Sequence, residues 1–191
     1  MVYLSTPLEL ELQLNDEQFF ELCHKHKDLR FERNAQGDLI IMPPTGGLTG
    51  NRNADLTYQL IAWNRQKKLG KVFDSSTGFK LPNGANRSPD ASFLTLEKWH
   101  NLTPSQQEKF LPLAPDFVIE LKSPSDKLTD TQKKMEEYID NGVKLGWLIN
   151  PEQKEVEIYR QGQEKDVLNN PKIISGEDIL PDFTLYLTEI F

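Results

Sequence analysis

Residues 116–149 constrain the fold more tightly than any other stretch. In Asp116-Phe117-Val118-Ile119-Glu120-Leu121-Lys122, the apolar Phe117, Ile119 and Leu121 alternate with Asp116, Val118, Glu120 and Lys122. A period of two puts the first three on one face of a sheet and the others on the opposite face. Ser123 to Asp126 is expected to supply an N-cap for a helix from about residue 127 to 141, with Leu128, Met135, Tyr138 and Ile139 as its buried stripe and Gly142 as its stop. Val143 to Ile149 then reads as a largely apolar strand. A helical crossover of this length permits parallel pairing of the two strands it joins. The alternation also points Glu120 and Lys122 the same way. An isolated Glu-x-Lys is most simply an exposed ion pair that contributes little.

The flanking segments fill in a sheet. Asn15 or Asp16 can cap a first helix over residues 16–27. Leu29 to Arg33 and Asp38 to Met42 read as a hairpin around Asn34-Ala35-Gln36-Gly37. A long helix is expected over about 49–68, with Leu56, Leu60, Ile61 and Trp63 as its apolar stripe. Short strands follow at 72–73 and 77–81, and a further one at 87–94 has Pro89 near its start, where a missing N–H is tolerated. Residues 95–112 are polar and irregular, an insertion with short helices near Glu97 and over 104–109. After the anchoring unit, Glu155 to Arg160 should hairpin back, and one or two short strands close the chain. The predicted fold class is α/β, with hairpins and a crossover sharing one mixed α+β sheet. No repeat or flexible linker interrupts it, so one domain over 1–191 is expected.

Composition narrows the function classes. The chain has 191 residues, 37% of them hydrophobic and 27% charged, which is globular rather than disordered. No apolar run approaches the roughly 20 residues of a membrane span. The start, Met-Val-Tyr-Leu-Ser-Thr-Pro, shows no basic-then-apolar leader pattern. Cys23 is the single cysteine, so no internal disulfide is possible; a cytoplasmic location is the expectation. The net charge of −7 argues against a broad basic surface for coating nucleic acid. The charge is uneven, however. Arg52, Arg65, Lys67, Lys68 and Lys71 face only Asp55 between residues 51 and 71, a local net of +4. The lysines can complement the C-terminal end of the long helix, or contact phosphates.

Asp90 on one strand and Glu120 on another can hold a hard divalent cation through oxygen, with the Leu121 backbone carbonyl as a further ligand and water and phosphate in the remaining positions. Lys122 alongside would orient or help deprotonate a water, or stabilise charge on phosphate. Pro89-Asp90 followed by Glu120-Leu121-Lys122 resembles the Pro-Asp…(Asp/Glu)-x-Lys signature of the restriction-endonuclease-like nuclease superfamily. Longer words carry a more specific likeness: Met42-Pro43-Pro44-Thr45-Gly46-Gly47, Gly78 to Gly84 leading into Arg87 to Phe93, Phe117 to Asp126, and Lys134 to Ile139 running into Gly142-Val143 and Gly146 to Pro151. Together they resemble the Uma-type restriction endonuclease family from about residue 10 to the end.

That resemblance implies an αβββαβ restriction-endonuclease-like core with an extra N-terminal hairpin and C-terminal strands. It implies cleavage of DNA phosphodiesters with Mg²⁺ or Mn²⁺, Asp90 and Glu120 as metal ligands, Lys122 as the catalytic lysine, and a homodimer. Lys134 matches a family position on the following helix that faces the same cleft. Arg52, Arg65, Lys67, Lys68 and Arg87 are the candidate nucleic-acid contacts. In one respect the chain departs from the pattern. Similar proteins often carry an acid after the Gly-Gly turn, where this chain has Leu48 and Thr49, and Asp55 is the nearest substitute. Two other readings compete. One is a catalytically weak or inactive relative serving as a binding module with a protein or nucleic-acid partner. The other is a metal-independent two-carboxylate hydrolase, against which Lys122 counts.

Overall fold

The structure is a computed structural model and describes residues 6–191. The stretch 1–5, most of the segment on which the leader expectation falls, lies outside the described residues. In chain order the elements are β1 (Leu8–Leu10), α1 (Asp16–Lys25), β2 (Arg30–Arg33), β3 (Leu39–Met42), α2 (Gly47–Lys67), β4 (Gly70–Asp74), β5 (Phe79–Lys80), β6 (Asn86–Arg87), β7 (Ala91–Thr95), α3 (Leu96–His100), α4 (Pro104–Gln107), β8 (Phe117–Leu121), α5 (Leu128–Asp140), β9 (Leu145–Asn150), β10 (Glu155–Arg160), β11 (Asp166–Asn169), β12 (Ile173–Ser175) and β13 (Thr184–Tyr186).

The central sheet has six strands in the order β11-β10-β9-β8-β7-β4. Only β8 and β9 run parallel, joined by the α5 crossover as the sequence pattern permits, and every other neighbour in this sheet is antiparallel. Register pairs Phe117 with Leu145, Ile119 with Trp147 and Leu121 with Ile149. These side chains pack with Leu56, Leu60 and Trp63 of α2 and with Phe183 and Leu185 near the C-terminus into one apolar layer. Ile61, predicted as part of the α2 stripe, is only half-buried. A second sheet, β1-β3-β2-β6-β5, is antiparallel throughout and carries the predicted hairpin at its middle.

The opposite face of β8 was expected to be open, and it is not. Val118 packs beneath Met135 and Tyr138 of α5, with Leu148 in the same layer. The approach is close enough that a Cβ at Gly146 would meet Met135 Cε at 2.5 Å, so a larger residue there would displace the end of the Met135 side chain. Glu120 and Lys122 are accordingly buried, at 7% and 9% exposure. Burying charge is costly unless it is paired, so the pairing of these two side chains decides what the face is for.

Two local expectations change. Ser123 to Asp126 does not cap α5. The Asp126 carboxylate accepts from Ser123 N at 2.8 Å, closing a turn, and the residue before α5 is Lys127, which makes no side-chain cap. The Asp126 carboxylate, engaged by a backbone N–H three residues before it, is not free to cap the helix that follows. The strand expected at 87–94 is two, β6 and β7, split by Ser88-Pro89-Asp90, because proline removes a ladder donor. The first helix is capped as expected, with Asn15 and Gln18 forming a reciprocal capping box.

Candidate active site

Asp90 immediately precedes β7. The pairing of Ala91 with Ile119 brings it beside the end of β8. Asp90 Oδ2 accepts from the Leu121 backbone N–H at 2.8 Å, and Oδ1 accepts from Asn53 Nδ2 of α2 at 2.8 Å. Glu120 Oε1 accepts from the Tyr138 hydroxyl at 2.9 Å and lies 2.9 Å from Lys134 Nζ, both on α5. Glu120 Oε2 has no protein hydrogen-bond partner among the described residues. Lys134 also pairs with Glu32 of β2 at 2.8 Å. Glu32 accepts from Ser88 N at 3.0 Å and pairs with Arg87 at 3.0 Å, and Arg87 Nε donates to Glu137 at 2.6 Å. The hairpin sheet is thus tied to α5 through buried ions.

The electrostatics of these carboxylates differ. Burial pushes Asp90 up, against the opposing pull of the Leu121 N–H, Lys134 and Asn53. Burial likewise pushes Glu120 up to about 7; Lys134 opposes this, while Asp90 and Glu32 add to it. Glu32 is buried as well, but Lys134 and Arg87 outweigh that burial and hold it below its ordinary value. Burial would lower Lys134, yet Glu120 and Glu32 raise it, so it stays an ammonium. One buried lysine therefore serves two carboxylates with a third nearby, and negative charge is left under-compensated at Asp90 and Glu120.

These groups line a cleft of about 1500 Å³ bounded by β2 and β3, the start of α2, the loop 123–127 and α5. Two polar atoms in it are buried without partners: Arg52 Nε and Asn53 Oδ1, neighbours on α2. An orphan donor next to an orphan oxygen acceptor is rare in a settled interior. The N-terminus of α2 opens into the same cleft at Gly46 and Gly47, with no side-chain cap and no acid in its first turn.

Among the described residues, no group of three or more His, Cys, Asp or Glu side chains could hold a metal ion. The available side-chain donors are two carboxylates, Asp90 and Glu120, and the Asn53 amide oxygen. Mg²⁺ is commonly bound by one or two carboxylates plus waters and substrate phosphate. The orphaned Asn53 oxygen and the under-compensated charge make this donor set a fit for a hard divalent cation.

The sequence-predicted residues divide. Asp90, Glu120 and Lys134 come together. Lys122 does not join them: its Nζ donates to Glu152 at 2.8 Å and to the Ser123 carbonyl at 3.1 Å, and it does not line the cleft. The strand ends at Leu121, so period-two alternation no longer governs the next side chain. At Leu121 it is the N–H that meets Asp90. Arg87, expected on phosphate, is instead a buried clamp between Glu32 and Glu137. Asp55 bonds to Gln59 on the same helix and lies outside the cleft, so it does not replace the acid missing at Leu48. Leu48 itself is 65% exposed at the cleft wall. Lys67 pairs with Asp182 at 2.7 Å, and Lys68 ends α2 in a left-handed conformation. Arg52 lines the cleft, and Arg65 lines an adjoining groove.

Sequence reasoning missed Asn53, Glu32 and the part played by Tyr138. Tyr138 left a signal, because a tyrosine in a buried stripe needs a partner for its hydroxyl. Asn53 and Glu32 left none, since each joins the site only through long-range packing.

A mixed sheet with one parallel crossover, and two carboxylates meeting at the ends of adjacent strands beside a helix-borne lysine, defines a restriction-endonuclease-like fold. Comparison with known proteins agrees. The crystal structure of a putative nuclease belonging to DUF820 from Anabaena variabilis superposes with a TM-score of 0.72 at 20% sequence identity, covering 84% of this chain and 89% of that one. The family model Uma2, described as "Putative restriction endonuclease", matches residues 16–188, and the chain belongs to that family. No curated protein matches.

Proposed function

We propose that the protein hydrolyses phosphodiester bonds of DNA at the Asp90–Glu120–Lys134 cluster, with Mg²⁺ or Mn²⁺ as its cofactor. The observation that carries this reading is the meeting of two under-compensated carboxylates with the orphaned Asn53 oxygen in one cleft. Asp90, Glu120 and Asn53 would hold the cation, with the Leu121 carbonyl as a further oxygen. A divalent cation bound there supplies Lewis-acid polarisation of phosphate and a lowered pKa for water. The chain's own groups do the rest. Tyr138 and Lys134 both occupy Glu120 Oε1, which fixes the carboxylate and leaves Oε2 available. Lys134 holds a permanent positive charge at the floor of the cleft, where charge building on phosphate oxygens is stabilised. Arg52, with its unpartnered Nε, and the open N-terminus of α2 offer donors to a phosphate. Membership of the Uma2 family supports the reading.

The test is nicking of supercoiled plasmid by the purified protein, with Mn²⁺ or Mg²⁺ against chelator. The expected result is divalent-dependent nicking that disappears in Asp90→Asn. Equal nicking by wild type and that variant would identify a contaminant and sink the assignment.

A further inference from the structure

The geometry points to a second element of the same site: we propose that the outer face of α2 is the track for an unpaired DNA strand leading to Asp90. The inference rests on the phosphodiester reading of the Asp90–Glu120 cleft and names the form of substrate that enters it.

A groove of about 610 Å³ runs beside α2, distinct from the main cleft but sharing Asp90, Asn53 and Arg30 with it. Its floor is Gly50, Ala54 and Ile61, residues at helical spacing on the side of α2 turned away from the buried Leu56, Leu60 and Trp63. Gly50, Ala54 and the neighbouring Ala62 let a ligand approach the helix closely. Tyr58 lines the groove and is 67% exposed, an aromatic ring in solvent with no hydrogen bond from its hydroxyl among the described residues. Arg30 and Arg65 line it too, both exposed, and neither makes an ion pair among the described residues. Asp74 is the other acid on the wall, and one of its oxygens, Oδ1, is engaged by Ser76 N at 3.0 Å and Ser76 Oγ at 2.6 Å.

Two free guanidinium groups and an exposed ring between small residues match the two recurring features of single-strand binding. Cations follow the phosphates, and an aromatic face stacks a base. A base inside a duplex has both faces covered by its neighbours, so away from a duplex end Tyr58 can stack only on an unpaired nucleotide. Continuity with Asp90 sets the direction: a strand lying on α2 delivers its next phosphate to the catalytic carboxylates.

The experiment measures binding without cleavage, in chelator, with the full chain carrying Asp90→Asn. Fluorescence anisotropy compares an oligothymidine of about 15 nucleotides with a blunt hairpin duplex. The expected result is tighter binding of the single strand, weakened about tenfold by Tyr58→Ala and restored by Tyr58→Phe. Arg65→Ala should weaken it too, with a salt dependence shallower by about 0.7 in slope. The assignment is overturned if Tyr58→Ala binds the single strand as its parent does, or loses single strand and duplex equally. It is also overturned if Tyr58→Ala converts a dimer to a monomer with strand affinity unchanged, which would assign the face to a second copy. A protein that nicks plasmid but ignores Tyr58 loses only this track. One that binds strands through Tyr58 but cuts nothing loses only the nuclease reading.

Discussion

Asp116 and Glu120 sit at opposite ends of one buried strand and are held in opposite ways. Asp116, just before β8, accepts from Thr95 N at 2.9 Å and pairs with Lys98 at 3.1 Å and Lys144 at 3.0 Å. Burial pushes it up, but the Thr95 N–H and these two lysines win, and its carboxyl lies below the usual carboxylate value of 3.8. Both lysines reach in from solvent, so their own desolvation cost is small. At the other end Glu120 shares one largely buried lysine with Glu32 and stands near Asp90, and burial wins, raising it to about 7. A carboxylate that stabilises the fold is given more cation than it needs. Glu120 is given less, and under the proposed function that shortfall is what a divalent ion would relieve.

The largest expected effect separates the two lysines associated with Glu120. Lys134→Ala should reduce divalent-dependent plasmid nicking by about 10³-fold, the scale of losing a preorganised charge in a dry site. Lys122→Ala, directed at a residue turned to Glu152, should keep the rate within about threefold. The reverse order in a nicking time course would return the catalytic role to Lys122.

Stability sharpens the contrast next. Asp116→Ala strands the Thr95 N–H and removes two ion pairs, and should cost about 3 kcal/mol in urea unfolding. Glu120→Gln removes a charge that burial disfavours, so it should cost less than about 1 kcal/mol. Similar losses for both would erase the distinction between the two ends of the strand.

The pH dependence of Asp116 follows from the direction of its shift. Because the folded carboxyl lies below 3.8, its stabilising contribution is complete above that value and is lost as pH falls through the lower, folded value. Acid titration of wild type against Asp116→Asn should therefore show the two stability curves converging below about pH 3.8 and separating above it. The smallest effect belongs to Glu152, which is 53% exposed. Glu152→Gln, which keeps a hydrogen-bond acceptor for the buried Lys122 Nζ, should change stability by less than about 1 kcal/mol, measurable in the same urea series.

Much of the fold is legible in the sequence alone. Hydrophobic period marks the strand–helix–strand unit at 117–150, and the Asn15 cap and the hairpin at 30–42 are visible as local chemistry. Asp90 and Glu120 are singled out as candidates by the resemblance to the Pro-Asp…(Asp/Glu)-x-Lys signature. What local pattern does not supply is whatever depends on which layer covers a face. The polar side of β8 reads as surface, yet α5 buries it, and this turns Glu120 from an ion-pair candidate into a charge with raised pKa. Lys122 is misdirected when alternation is carried one residue past the strand end. Arg87 looks like a free cation because Glu32 and Glu137 lie far from it in sequence.

Calorimetric titration with Mn²⁺ reads the carboxylate cluster without requiring turnover, so it addresses the metal site with the fewest intervening steps. The expected result is one saturable site in wild type, retained in Asp116→Asn and lost in both Asp90→Asn and Glu120→Gln. An identical titration in all four proteins would contradict the assignment of Asp90 and Glu120 as metal ligands.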